Sequence, residues 1–556
     1  MSANSPSASQ PENFTPPEHF TTPENFLATQ GSSPIFVKET REDYTLRYAP
    51  HSFRTWSART VAITALGGIA YMADFSIGAS IGLTYGTFNA LLAIALAAII
   101  IFTTSFPLAF YAARYNIDLD LITRGAGFGY YGSVITSIIF ASFTFIFFAL
   151  EGSIMAQGLN MGLGIPLWLG YLLASVIVIP LVFFGMKALS KLQIWTTPLW
   201  LFLMVGPVAY LVFHHPEILP AWLAHNGSEK FASLSLPAIM LGAGVALSLM
   251  GQIGEQIDYL RFMPTYTHAT RRQWWWAVVC AGPGWVILGA IKQAIGAFIA
   301  FYVVTTFSQP TAMATEPVEQ FATLFQNMAP HGLAVLLAVV LVVISQVKIN
   351  VTNAYSGSLA WTSAYTRLTC HYPGRLVFVV VNVGFAFFLM EENLFALLNA
   401  ILGFYANCAI AWVMVVATDI TINKYLLGLS PKEPEFRKHM LYGINPVGVI
   451  AFLLASGLSI AAYFGLLGAT LTSYSPLIAL AIGFIAPPLL CLATKGKYYL
   501  RHTEDGILEP RFDASGLPTK SLYTCTSCQE EFERPDVMHL PHMEGITCSL
   551  CVTTQR

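Results

Sequence analysis

An all-α, polytopic membrane fold is predicted by three observations: the apolar composition, the recurrence of runs of spanning length, and the placement of the basic residues. The chain has 556 residues, 55% of them hydrophobic and 10% charged, with a mean hydropathy of +0.60. Soluble domains carry about 25% charge. The formal net charge of -2 points to no particular partner and offers no argument for nucleic-acid binding. Apolar runs long enough to cross a bilayer, about 20 residues each, fall near 60–85, 88–110, 130–158, 165–184, 193–213, 236–257, 275–306, 330–358, 374–390, 393–418, 445–466 and 473–494, which makes twelve transmembrane helices. The runs at 275–306 and 330–358 are long enough to tilt or to continue beyond the bilayer. The first 50 residues are polar, so no secretory signal is expected.

Basic residues alternate with these segments. Before the first lie Lys38, Arg41, Arg47, Arg54 and Arg59; alternate loops then hold Arg114 and Arg124, Lys187 and Lys191, Arg261, Arg271 and Arg272, Arg367 and Arg375, and Lys424, Lys432, Arg437 and Lys438. The tail beyond the last segment adds seven, and the other set of loops holds only Lys230. Of 28 basic residues, 25 therefore fall on one side, with Lys292 and Lys348 inside apolar segments. The excess of Lys and Arg marks the cytoplasmic side, so both termini are expected there, in a multi-pass protein of the plasma (inner) membrane.

Three parts are expected: a polar N-terminal tail (1–45), a membrane domain (46–500) and a cytoplasmic tail (501–556). The first contains a Pro-Glu-x-Phe repeat ending at Phe14, Phe20 and Phe26. Its composition predicts disorder, and its spaced Phe residues suit a docking tract for a cytoplasmic protein. The last contains Cys525-x-x-Cys528 and Cys548-x-x-Cys551 (525–551). Paired CxxC knuckles at this spacing give a tetrahedral thiolate site for structural Zn2+, a small zinc ribbon. His539 and His542 between them are spare ligands. The role of this tail stays open between interaction module, metal sensor and folded end.

Inside the membrane domain, Lys348 is the most informative residue. A lysine at bilayer depth costs roughly 3 kcal/mol on insertion scales, and Asn350, Asn353, Tyr355 and Ser356 follow it closely. Such a face lines protein or water and points to a solute route. The first segment carries Gly67, Gly68, Asp74, Ser76, Gly78 and Gly82; the sixth carries Gly242, Gly244, Ser248, Gly251, Gln252, Gly254 and Glu255. These glycine-rich segments stand five apart, as in two five-helix halves inverted with respect to each other, and interrupted helices in inverted repeats point to a central transport site. The third and eighth segments correspond likewise and carry Glu151 and Lys348. No Walker loop or nucleophile constellation is present, so neither an enzyme nor an ATP-driven pump is expected.

Several motifs resemble those of the nucleobase–cation symporters of the purine/cytosine permease type. Phe53-Arg54-Thr55-Trp56 precedes the first segment, and the loop from Ile117 to Gly132 is similar to that family's Arg-x-x-Phe-Gly-x-x-Gly element, matching at Phe128, Gly129 and Gly132, with Arg124 one residue early. Asp258-x-x-Arg261-Phe262 resembles the end of its sixth helix, and Asn353-x-x-Ser356 its eighth-helix pattern. The resemblance spans about residues 45–500 and implies a five-plus-five inverted repeat with two extra helices.

It also implies roles. Phe147 and Glu151 match an aromatic that stacks on the base and a hydrogen-bonding residue one turn on. A carboxylate there suits a ligand rich in N–H donors, such as cytosine or a purine. Gln252, Asn350 and Asn353 complete the expected substrate contacts, although the two asparagines could equally bond helix to helix. Lys348 stands where the family places a sodium ligand, so its ammonium is read as an ion surrogate, with Asp74 as its counter-charge and a proton preferred to sodium as the coupling ion. Asp258 and Arg261 are read as an inner-gate ion pair, and Lys292 as a snorkelling or locally paired residue. The implied function is import of a nucleobase by alternating access. The alternatives are a transporter-derived receptor, to which the two tails point, and a permease for an allantoin-like heterocycle, because Glu255 stands where the family often has Asn.

Overall fold

The computed structural model describes residues 44–229, 231, 234–308, 310–391, 394–539 and 544–555, all within one compact unit, Glu42–Arg556. The Pro-Glu-x-Phe repeat and His542 lie outside the described residues. Every one of the twelve apolar runs is helical, since a backbone in lipid can meet its hydrogen bonds only internally. Among the described residues, nine helices are long and apolar enough to cross a membrane, and a bent pair makes a tenth. The remaining two runs, the fourth (Leu167–Phe183) and the ninth (Arg375–Glu391), span 17 residues each. This is a multi-pass membrane protein. Its peripheral fifth and twelfth segments turn large apolar residues outward, including Trp195, Phe202, Phe213 and Leu489, as a lipid-facing surface requires.

The bent pair is the first segment. Ser57 caps its opening helix, Ala58–Gly67, by accepting from the Thr60 amide at 3.1 Å. A single 3-10 turn (Gly68–Ala70) follows, Tyr71 is extended, and a second helix (Ala73–Tyr85) leaves at 55°. The sixth segment is interrupted at the equivalent place: Leu236–Leu247 and Ile253–Leu260 are α-helical, and Ser248–Gln252 between them is 3-10. Both interruptions coincide with the glycine-rich stretches of the sequence.

The seventh run departs from expectation. It is not one long helix but two, Arg271–Ala281 and Trp285–Phe307, split at Gly282-Pro283-Gly284, where a proline without an N–H and two glycines end the ladder. The eighth, His331–Thr369, is one helix of 39 residues, about 58 Å long at the usual rise, so it extends past the hydrocarbon.

Packing sorts the segments into two groups. The first, second, sixth and seventh pack chiefly on one another; so do the third, fourth, eighth and ninth. The first and seventh approach closely, because Gly78 rests on the seventh helix's backbone and Gly296 on the first's. A Cβ at Gly78 would lie 1.8 Å from the Gln293 carbonyl oxygen. Gly78→Ala should therefore force the helices apart and cost about 1–3 kcal/mol, lowering the melting temperature of the detergent-purified protein; an unchanged melt would refute the close approach.

Candidate functional site

The break in the first segment strands backbone groups on both sides, and charged side chains from other segments meet them. Glu151, on the third segment (Val134–Leu163), accepts from the Met72 and Ala73 amides, each at 3.2 Å. It thus caps the N-terminus of the second half-helix, where an anion is favoured. Lys292, on the seventh, donates to the Ile69 and Tyr71 carbonyls at 2.8 and 2.9 Å, at the negative end of the first half-helix. Its ammonium also lies 2.9 Å from the Asp74 carboxylate and 3.8 Å from the centre of the Tyr71 ring.

Asp74 is thereby paired with Lys292, not with Lys348. The reason is direction. Asp74 opens the second half-helix on the face that Gly78 presses against the seventh segment, and it also accepts from Gln293 of that segment at 2.8 Å. Lys348 points the other way, to the fifth segment, Gly185–His214. It donates to the Gln193 carbonyl at 2.9 Å and to the Thr196 and Thr197 hydroxyls at 3.0 and 2.9 Å, while the Gln193 side chain donates back to the Lys348 carbonyl at 2.8 Å. Among the described residues none of its hydrogen-bond partners is a carboxylate. A buried ammonium held only by neutral oxygens keeps much of its desolvation cost.

Phe147 lies on Phe143, ring centres 4.4 Å apart, one turn from Glu151 on the same helix face. Asn350 donates to the Phe148 carbonyl at 3.3 Å and so ties the eighth helix to the third, while Asn353 donates to Asn350 at 3.2 Å within the eighth helix. Gln252 donates to Glu255 at 2.6 Å. The second Glu255 oxygen, both side-chain polar atoms of Gln256 and the Asn353 oxygen are buried without a hydrogen-bond partner. Leaving such groups unmet costs about 1–3 kcal/mol apiece, and their grouping on the sixth and eighth segments beside the break suits a polar ligand.

Residues 48–462 match the family described as permeases for cytosine/purines, uracil, thiamine and allantoin. The chain belongs to this permease family. A search of curated proteins finds no match. Similar solved structures include Mhp1, a nucleobase-cation-symport-1 family transporter, in a closed conformation with bromovinylhydantoin bound (15% identity, covering 82% of this chain and 99% of that one, TM-score 0.58). The inward-facing conformation of Mhp1 is also similar (18% identity, 80% and 95% covered, TM-score 0.57). So is a Na+-coupled sialic acid symporter in a substrate-bound outward-open state (14% identity, 82% and 92% covered, TM-score 0.57). The permease therefore has an Mhp1-like fold, and it is a transporter, not an enzyme.

Towards the end of the permease that carries most Lys and Arg, the two helix groups are sealed together. Arg261 donates to the Tyr355 hydroxyl at 2.9 Å and pairs with Asp118 at 3.8 Å; Tyr259 and Thr352 share a hydrogen bond at 2.8 Å. Arg261, expected to pair with Asp258 within the sixth helix, thus also pairs with Asp118 on the loop before the third segment, and its charge faces Asp258 as well. Asp258 lines a small cavity with Asp118, Asp120 and Leu359. Asp120 accepts from Arg367 at 2.6 Å and from Ser137 at 2.6 Å. Burial alone would raise its carboxyl, but Arg124 and Arg367 hold it at about 2, so this part of the seal stays charged until the pH falls that far. The sequence named Arg261 and Asp258 but missed Asp118, Asp120 and Arg367: the two aspartates stood at the head of the aligned Gly-rich loop, and Arg367 was read only as one of the alternating basic residues.

The tail docks on the same end. Strands β1 (Leu522–Thr524) and β2 (Glu531–Glu533) pair antiparallel, as do β3 (Val537–Met538) and β4 (Thr547–Cys548). The four cysteine sulfurs lie within 4.8 Å of one another, and the Cys548 amide donates to the Cys525 sulfur at 3.3 Å. Four thiols so placed fit a tetrahedral zinc site with Zn–S bonds of about 2.3 Å. Asp536 pairs with Arg47 at 2.8 Å, Asp505 with Arg437 at 2.6 Å, and Thr553 accepts from Tyr130 at 2.9 Å. Arg261→Met should loosen the seal, and a cysteine introduced at Leu359 should then be alkylated several-fold faster; an unchanged rate would show that Arg261 does not hold it.

Proposed function

We propose that this permease imports a nucleobase, cytosine or a purine, as a secondary active transporter working by alternating access, with proton coupling. In this reading the chain spans the plasma membrane twelve times, as a five-plus-five inverted repeat with two added helices, and keeps both termini in the cytoplasm. The observation that carries the substrate class is the acceptor capacity at the break. Each Glu151 oxygen takes one backbone N–H and retains a second lone pair, and Glu255 offers an unpartnered oxygen. Carboxylates with spare acceptors beside the Phe147 ring match a flat ring edged with N–H donors. Gln252, Asn350 and Asn353 supply amides around it. Proton coupling is supported by Lys348, whose buried ammonium has neutral oxygens as hydrogen-bond partners. Losing a proton there removes a buried charge instead of breaking an ion pair.

A second reading has a specific observation behind it. The family description includes allantoin, and the similar Mhp1 structure holds a hydantoin. An allantoin-like ring presents the same N–H donors to Glu151 and Glu255.

Uptake of labelled cytosine, adenine, hypoxanthine, uracil and allantoin, in cells lacking their own base permeases, decides between them. We expect one base to accumulate without sodium and to stop accumulating when the proton gradient is collapsed. Allantoin accumulating alone would favour the second reading, and binding without accumulation a receptor. Lys348→Met should remove the pH dependence of uptake; an unaltered pH profile would exclude Lys348 from coupling. Glu151→Gln should weaken base binding by about tenfold, in line with the loss of one charged hydrogen bond.

The four cysteines are proposed to hold structural zinc that keeps the tail folded and docked, since so short a segment has little core without it. A strong chelator should then expose residues 501–556 to protease in the purified permease. Equal protection with and without chelator, in protein shown to have lost metal, would remove zinc from the account.

A further inference from the structure

The surroundings of Lys292 are those of a bound cation. Three oxygens converge on its ammonium: the Ile69 and Tyr71 carbonyls at 2.8 and 2.9 Å and an Asp74 carboxylate oxygen at 2.9 Å. The Tyr71 ring closes a further side, with its centre at 3.8 Å. The two carbonyls belong to the turn that ends the first half-helix, which concentrates roughly half a negative charge. Asp74 adds a full one. Burial is complete enough that solvent does not share the load: Asp74 is 0% exposed and Lys292 2%. Oxygens of this kind, carbonyls plus a carboxylate at a helix break, are the ligands that alkali cations take in membrane proteins.

We propose that Lys292 is a built-in cation at the break of the first segment, its ammonium filling a site that potassium or sodium would otherwise enter. Because the charge is tethered to the seventh helix, it stays through the transport cycle, and no ion from solution is needed to neutralise the break. The function differs from that proposed for Lys348, which sits on another helix and whose ammonium has its hydrogen-bond partners, among the described residues, on the fifth segment. An ordinary structural ion pair would need only Asp74. The donation to both stranded carbonyls is what sets Lys292 apart.

The test needs no substrate, so its result is separable from the identity of the transported solute. Lys292→Ala opens the site while leaving all three oxygens. The melting temperature of the purified permease is then followed in potassium, sodium and choline chloride. The variant should melt a few degrees higher as potassium or sodium rises, saturably, with choline inert. Potassium should do at least as well as sodium, because contacts of 2.8 to 2.9 Å suit the larger ion better. Wild type and Lys292→Ala/Asp74→Asn should show no such cation-specific shift. Identical melting of Lys292→Ala in all three salts would overturn the proposal. If Lys292→Ala yields no folded protein, Asp74→Asn on the wild-type background decides. A wild type whose melting rises with sodium, and loses that rise in Asp74→Asn, would show that Asp74 serves a solution cation despite Lys292, which also overturns it. A cation-insensitive wild type, together with recovery of folded Lys292→Ala in ethylammonium but not in choline, supports it.

Discussion

A helix interrupted in an apolar medium leaves amides and carbonyls that water cannot reach, and every one must find a partner inside the protein. The break at Gly68–Met72 is where this constraint bears hardest on the permease. Glu151 takes the amides of one half-helix and Lys292 the carbonyls of the other. Each charge faces the helix end of opposite sign. To bring them there, the third and seventh segments must press against the first, and the glycines at Gly78 and Gly296 are what let the backbones meet. Fold and site thus share one cause: the charges stabilise the break, and the break positions the charges.

The two intramembrane lysines illustrate how the same side chain takes different roles from its surroundings. Lys292 sits in an ion pair with added carbonyl ligands, so its charge is compensated. Lys348 has a carbonyl and two hydroxyls, all dipoles without formal charge. Dipoles offset only part of a buried ammonium's desolvation cost. A compensated charge is suited to holding a structure; an under-compensated one is suited to giving up its proton.

At the end that carries most Lys and Arg, ion pairs and the tail lie over the seam between the two helix groups. Arg47, on the segment leading into the first helix, meets Asp536, while Tyr130, on the loop leading into the third, meets Thr553. The four-cysteine unit therefore touches residues attached to both groups, beside the seal made by Arg261, Tyr355 and Asp118. In the proposed transport cycle, this places the four-cysteine module beside the seam between the two helix groups.

Much was legible from the chain alone. Apolar runs of spanning length became helices because lipid permits little else, paired glycine-rich stretches became the interruptions, and two CxxC knuckles came together because their spacing lets a short tail fold back. Glu151 and the intramembrane lysines announced themselves by the cost of burying charge. The partners of those charges were not legible. Asp74 with Lys348 was the pairing implied by the family's sodium site between the first and eighth helices, yet Asp74 joins Lys292, and Arg261 reaches Asp118 besides facing Asp258. Which side chains meet depends on each helix's rotation about its own axis and on the depth at which it is cut. Sequence spacing settles neither. Composition and periodicity decided that charged groups would lie within the membrane domain; only the packing of helix against helix decided which of them would be neighbours, because contact between distant segments is set by geometry that no single segment encodes.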